Sequence, residues 1–401
     1  MNSMAFSLEN ICLGDVLDIR DGTHDTPKYI ESGIPLITSK NLTDYGLCFR
    51  DISFISEADH NQISNRSAVE SGDILYGMIG TIGKPTLVET DRKFSIKNVA
   101  LFKQSNPQIH NKYLRRLLNS PSINSQIAQA SKGGTQKFVS LGALRGLKAT
   151  FPSFTEQRRI AAILDQADAL RTKRREALVQ LDSLTQSIFI EMFGDPATGV
   201  QKLIFHPLES LLEQSFQNGA YFQKENYCNE GGVEMVHMSD AFRGIISRGK
   251  LKRVVCSAND IQKYCLNIDD ILIARRSLTY EGAAKPCMIP YSDEPLIFES
   301  SFIRVKPDKT RITSLYLFHY LNNERVKEKH IRPYVTQSTI SGINQSNLAQ
   351  VPVMQPPIDL QQEFGVRINA IEQLKLIHHS SLLELDALFA SLQHRAFRGE
   401  L

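Results

Sequence analysis

The sequence predicts an α+β protein of two globular domains separated by a pair of long, antiparallel, coiled-coil-like helices, related by a pseudo-two-fold internal repeat. Three observations predict it: an ordered repeat, a strand-rich first part in each copy, and a 3-4 apolar spacing that closes each copy. The 401 residues exceed one ordinary core. The expected bounds are 1–154 for the first domain, 155–193 for its helix, 194–356 for the second domain and 357–401 for the last helix.

The repeat is an ordered series. Asp73-Ile74-Leu75 returns as Asp270-Ile271-Leu272, and Lys84-Pro85 as Lys285-Pro286. Ile109, Tyr113, Leu114, Leu118 and Asn119 return as Ile312, Tyr316, Leu317, Leu321 and Asn322 with the same internal spacing. Thr135-Gln136 returns as Thr336-Gln337, each followed by a serine, Ser140 and Ser341. Within each copy, short apolar runs such as 34–38, 74–78 and 99–102 alternate with Gly, Asp, Asn and Pro, the pattern of short strands and turns. Helices are expected around 112–118, 122–130 and 314–329.

The long helices follow from periodicity. Pro152 and Thr155 precede Glu156-Gln157, a helix start with a capping threonine. From there Ile160, Ile163, Ala167, Leu170, Arg174, Ala177, Leu181, Leu184 and Ile188 keep a heptad spacing. At a constant offset of 204 stand Phe364, Arg367, Ile371, Leu374, His378, Ser381, Leu385, Leu388 and Leu392. The two seams match position for position, so the helices are expected to pack on each other. The alternative is two amphipathic helices, each packed on its own domain.

Composition excludes several classes. No apolar run reaches membrane-span length, and 1–10 lacks the basic and apolar regions of a signal peptide, so a cytoplasmic location is expected. Cys12, Cys48, Cys228, Cys256, Cys265 and Cys287 show no metal or redox spacing, and no metal site is expected. The Gly77–Pro85 segment fails as a phosphate loop at Met78 and Pro85. Asp73, Asp91 and Lys93 have a loose nuclease order that the second copy does not keep. No nucleophile–histidine arrangement is legible. These failed searches favour a binding protein without catalytic residues and without a cofactor of its own.

Net charge of +3 does not by itself announce a nucleic-acid binder, so the case rests on loops. Reading base edges needs Arg, Lys, Asn, Gln and small hydroxyl residues at loop tips, and holding phosphates needs cations and free amides. The candidates in the first copy are Thr23, His24 and Lys28, then Ser39, Lys40 and Asn41, then Lys84, and the glycine-bearing run Gly133, Gly134, Thr135 and Gln136. In the second they are Arg275, Arg276, Lys285, Thr336 and Gln337. For any one of these loops, a solvated turn is the plain alternative.

At the junctions the residues resemble a known family. Gly134-Thr135-Gln136, Ser140, Phe151-Pro152, Glu156-Gln157, Ile160-Ala161 and Leu164-Asp165 are similar to the junction motif of DNA-specificity subunits of type I restriction–modification systems. The second junction keeps Thr336-Gln337, Ile340-Ser341 and Pro356-Pro357, and departs at Gln361-Gln362, where Glu-Gln is expected. Asp21-Gly22-Thr23-His24, Gly33-Ile34-Pro35-Leu36, Gly72-Asp73-Ile74-Leu75-Tyr76 and the terminal Phe397-Arg398-Gly399-Glu400-Leu401 are similar too. The resemblance implies two target-recognition domains, each reading half of a bipartite, asymmetric double-stranded DNA site. It implies two methyltransferase subunits and restriction subunits as partners, with S-adenosylmethionine, Mg²⁺ and ATP bound by those partners. The alternatives are a specificity subunit of a related non-type-I system, a stand-alone DNA-binding regulator, and an enzyme using Asp73, Asp91 and Lys93.

Overall fold

The strands Ile74–Gly77 and Val99–Phe102 carry no polar side chain facing water because both faces of their sheet are covered. Ile74, Tyr76, Ala100 and Phe102 pack into one core with Tyr113, Leu114 and Phe151, whereas Leu75, Val99 and Leu101 pack into another with Ile37 and Phe94. That alternation is the two-residue period of a strand, with an apolar destination on each side. The structure, a computed structural model, describes residues 8–44, 46–131, 137–196, 204–241, 246–337 and 340–401. No helix among the described residues is long and apolar enough to cross a membrane.

The chain divides into two compact units, Met1–Glu176 with His379–Leu401, and Ala177–His378. This division is discontinuous, unlike the four consecutive segments expected from sequence, because each long helix contributes to both units. In the first unit Ile19–Asp21, Val99–Phe102, Ile74–Gly77 and Gly83–Leu87 form an antiparallel sheet in that order. A second sheet orders Ser53–Ile55, Ile34–Ile37 and Ser95–Ile96, and Leu8–Cys12 pairs with Lys148–Phe151.

The other unit repeats this plan. Gln217–Asn218, Phe302–Val305, Ile271–Ala274 and Pro286–Met288 form the antiparallel sheet. Lys252–Val254, Val233–Val236 and Leu296–Phe298 form the second, extended by Tyr227–Cys228, and Phe205–Pro207 pairs with Pro352–Met354. In both units the closing strand pair ties the start of the domain to the strand that leads into a long helix.

The long helices run Phe154–Phe193 and Ile358–Ala396, the first about 60 Å long at 1.5 Å per residue. Ser153, not Thr155, caps the first: its Oγ accepts the Glu156 amide at 3.3 Å. Within the first unit the helices pack antiparallel, with Arg175 bound to Asp386 at 3.0 Å and Arg159 donating to the Leu401 carbonyl at 2.7 Å. Within the second, Phe189 meets Phe364 edge-on at 5.7 Å and Lys375 binds Asp182 at 2.6 Å.

The residues of the expected seam differ in burial. Ile160, Ala167, Phe364 and Ile371 are buried, and Ile163, Leu181, Ile188, His378, Leu385 and Leu392 are half-buried. Leu170, Leu184, Leu374 and Leu388 stand 45–49% exposed, and Arg174 is exposed. The inward positions are one residue later: Leu164, Arg171 and Thr185 on the first helix, and Ile368, Lys375 and Phe389 on the second. Two causes combine. A straight helix of 3.6 residues per turn drifts off a heptad frame, and Arg171, Lys375 and Thr185 are polar residues at contact positions. The shift is the same in both helices.

Candidate nucleic-acid interface

A buried glutamine ties each helix to its domain. Gln157 and Gln361 are fully buried. Gln157 Oε1 accepts the His110 amide at 2.9 Å, and its Nε2 donates to the carbonyls of Gln108 and Pro152. Gln361 Oε1 accepts the Thr313 amide at 2.8 Å, and its Nε2 donates to the carbonyls of Arg311 and Pro356. The junction motif is therefore a structural tie. Gln361 stands in the place of Gln157, so the second junction departs at Leu360, which replaces Glu156, and not at Gln361-Gln362.

In the first unit, one end of the sheets gathers several of the expected residues. A side chain at Gly22 would put its Cβ 2.3 Å from the Ile96 carbonyl, so only glycine lets this strand run so close. Beyond it the Thr23 carbonyl accepts the Asn98 amide at 3.1 Å, and the Lys97 amide donates to Ile37 at 2.9 Å. The next loop begins at Thr38, and Ser39 Oγ donates to the Ile79 carbonyl at 3.0 Å. The Gly80 amide in turn donates to the Lys137 carbonyl. Thr23, Ser39, Lys40 and the Gly80 turn thus share one edge, and Lys28 stands exposed on the loop that follows Thr23. Gly133, Gly134, Thr135 and Gln136 lie outside the described residues.

Two of these residues serve the scaffold. Asn41 is buried; its Oδ1 accepts the Thr38 amide at 3.0 Å and its Nδ2 donates to the Cys48 carbonyl, so it shapes the turn and Lys40 is the outward group. His24 has both ring nitrogens engaged, 2.9 Å from Asn98 Oδ1 and 2.9 Å from Asp21 Oδ2. Those hydrogen bonds, Asn98 first and Asp21 second, hold its pKa above the ordinary histidine value.

In the second unit the corresponding edge has a different surface. Gly219 repeats Gly22, its Cβ position being 2.2 Å from the Glu299 carbonyl. The His237 amide donates to Asp240 Oδ2 as Thr38 does to Asn41. Arg276 and Ser277 pair with Gly342 and Ser341, and Thr336 exchanges both backbone hydrogen bonds with Gly342, at 2.8 and 3.0 Å. Arg275, Arg276 and Thr336 consequently line one cleft of about 310 Å³, with Gln337 next along the chain.

Lys84 and Lys285 are placed elsewhere. Lys84 lines a cleft with Arg116, Asp168 and Arg171, and Lys285 a cleft with His319, Glu372 and Lys375. Both clefts lie against the long helices. Arg116 binds Asp165 and Asp168 in the first. In the second, burial pushes the His319 pKa down to about 4.

Sequence reading missed Tyr221 and Leu278, 81% and 87% exposed on the second unit. Tyr221 follows Gly219 as His24 follows Gly22, a signal present in the repeated glycine. Asp73 is buried and held by the Glu70 and Gln104 amides and by Lys103, a structural setting. Among the described residues, no group of three or more His, Cys, Asp or Glu is placed to hold a metal ion.

The type I restriction modification DNA specificity domain model matches residues 7–180 and 206–385, once in each repeat and over most of the chain. The chain belongs to this family of DNA-specificity subunits. It is 21% identical over 387 residues to the Salmonella potsdam StySPI specificity subunit, covering 92% of this chain and 82% of that one. It is 30% identical over 174 residues to the Escherichia coli EcoBI specificity subunit, where the match spans 42% of this chain and 36% of the relative. The type I S subunit structure from M. genitalium superposes with a TM-score of 0.56 at 15% identity, covering 99% of this chain and 97% of that chain, which supports the fold. Membership makes the chain a DNA-recognition subunit of a type I restriction–modification system, without catalysis of its own.

Proposed function

We propose that this specificity subunit reads a bipartite, asymmetric DNA site, one half with each unit, and docks two methyltransferase subunits and the restriction subunits. The observation that carries the reading is one scaffold with two surfaces. Gly22 and Gly219 hold the same close approach, yet the edge beyond them presents His24, Lys40 and Ile79 in one unit and, at the matching places, Tyr221, Ser239 and Arg276 in the other. Base-specific contacts need different donors and acceptors for different sequences. Two halves of unlike sequence follow.

Repeated partner docking is supported by the half-exposed leucines. Leu170 precedes contact residue Arg171, and Leu388 precedes Phe389; in an antiparallel pair, residues so placed fall on the same side of both helices. Leu374 before Lys375 and Leu184 before Thr185 make the equivalent pair in the second unit. Two equivalent apolar patches suit two copies of one partner. S-adenosylmethionine, Mg²⁺ and ATP act in those partners, which modify adenine and cut.

The test is modular. Replace residues 1–150 with the first domain of another family member, assemble the methyltransferase complex, and map modified adenines. One half of the site changes and the other is kept. If both halves change together, the two-reader proposal is wrong.

A further inference from the structure

Two exposed side chains of the second unit, Arg276 and Leu278, stand side by side, and the function above gives neither of them a base to read. Arg276 is exposed, and among the described residues its guanidinium has no partner. Leu278 is the most exposed large apolar side chain among the described residues, at 87%. Ser277 between them is buried, so 276 and 278 point outward together. Gly342 permits this arrangement, because a Cβ there would lie 2.7 Å from the Arg275 carbonyl. At the matching places the first unit has Ile79, which is half-buried, and Thr81 in the Gly80 turn, neither of them cationic. So exposed a leucine buries almost no area, and among the described residues the Arg276 guanidinium makes no bond that holds the fold.

We infer that Arg276 and Leu278 together read two positions of the half-site in the major groove: Arg276 a guanine, and Leu278 the methyl group of a thymine. This rests on the DNA-reading function proposed above and deepens it. A guanidinium fork matches the two acceptors of guanine, and a branched apolar side chain matches the thymine methyl, a group no other natural base pair presents there. Residues 276 and 278 are two apart where the strand Arg276–Ser277 ends, a span of at most about 7 Å, and bases rise about 3.4 Å per step. The guanine and thymine therefore stand one or two steps apart, on either strand. Charge favours DNA as the occupant, because the apolar tip is flanked by Arg275 and Arg276.

The experiment uses the full chain assembled with its methyltransferase on a randomised duplex library, reading methylated sequences. Wild type gives a half-site containing such a guanine and thymine. Leu278→Ala relaxes the thymine position by about tenfold, Arg276→Ala relaxes the guanine position, and the other half-site is unchanged. A probe with deoxyuridine for that thymine, which lacks only the methyl, loses about the same factor with wild type and nothing further with Leu278→Ala. If the variants select the wild-type sequence with equal fidelity, or uridine and Leu278→Ala act independently, the inference is overturned while the DNA-reading function stands. If wild type itself selects no sequence, both fall.

Discussion

Asp73 and Asp270 open the same strand in the two units, within the same Asp-Ile-Leu triplet, and are held in different ways. Both are buried. Asp73 Oδ2 accepts from the Glu70 amide and Lys103 Nζ, each at 2.8 Å, and its Oδ1 accepts the Gln104 amide at 3.0 Å. Asp270 Oδ2 accepts the Asn267 amide at 2.9 Å, while its Oδ1 has no partner among the described residues. The strand across explains it. Phe102 pairs with Ile74, and Val305 with Ile271, so Lys103 and Gln104 correspond to Lys306 and Pro307. Proline has no amide hydrogen to give. Lys306 pairs with Glu213 at 3.3 Å instead. An identical motif thus has different energetics, because the neighbouring strand supplies the donors.

The largest effect that could break this comparison is truncation of the satisfied carboxylate. Asp73→Ala leaves the Glu70 and Gln104 amides without their acceptor and takes from Lys103 its buried carboxylate, leaving it Glu70 and the Ala68 carbonyl. It should cost about 3–5 kcal/mol. Asp270→Ala removes a group with one donor and should cost about 1–2 kcal/mol. Chemical denaturation, with hydrogen exchange to localise the loss to one unit, checks the ranking. Equal losses would mean that the satisfied and orphaned carboxylates are not energetically distinct.

Gln157 and Gln361 provide the opposite control, a place where the units are the same. Each accepts one amide and donates to two carbonyls from full burial. Substitution by Ala should cost each unit about 2–3 kcal/mol, equal within the error of the same exchange measurement. A loss confined to one unit would show that the shared hydrogen bonds do not carry shared energy.

These two glutamines also show what the sequence can and cannot disclose. The repeat and the long helices were legible because ordered matches and a 3-4 period are properties of many residues at once. A single glutamine has no period, so the tie at each junction was invisible, and without it the second junction was read one residue late. The seam slipped for a related reason. Arg171, Lys375 and Thr185 hold contact positions, and a search for apolar residues passes over them to Leu170, Leu374 and Leu184. Asn41 was placed among base readers because the side chain that suits an adenine also suits a turn. Arg275, Arg276 and Thr336 came together as a candidate cleft only through Gly342, more than sixty residues from the arginines in the chain. Tyr221 and Leu278 required knowing which side chains remain uncovered.

The smallest effect sharpens the comparison through pH. Burial raises the Asp270 pKa above its ordinary value of 3.8, and the Asn267 hydrogen bond opposes that only in part. A carboxyl whose folded pKa is raised binds its proton more tightly in the native state. Its contribution is therefore fully present below 3.8 and is lost as pH rises through the folded value. Asn in its place keeps an acceptor for the Asn267 amide and never ionises. The stability of Asp270→Asn relative to wild type should accordingly grow as pH rises from about 3.8 through the raised pKa, and then level off. Asp73→Asn should do the reverse of help at neutral pH, because it removes the charge that Lys103 faces. Denaturation midpoints of the three proteins across pH 4 to 7 decide the matter. A flat difference between wild type and Asp270→Asn over that range would mean that burial does not raise the pKa of this carboxyl.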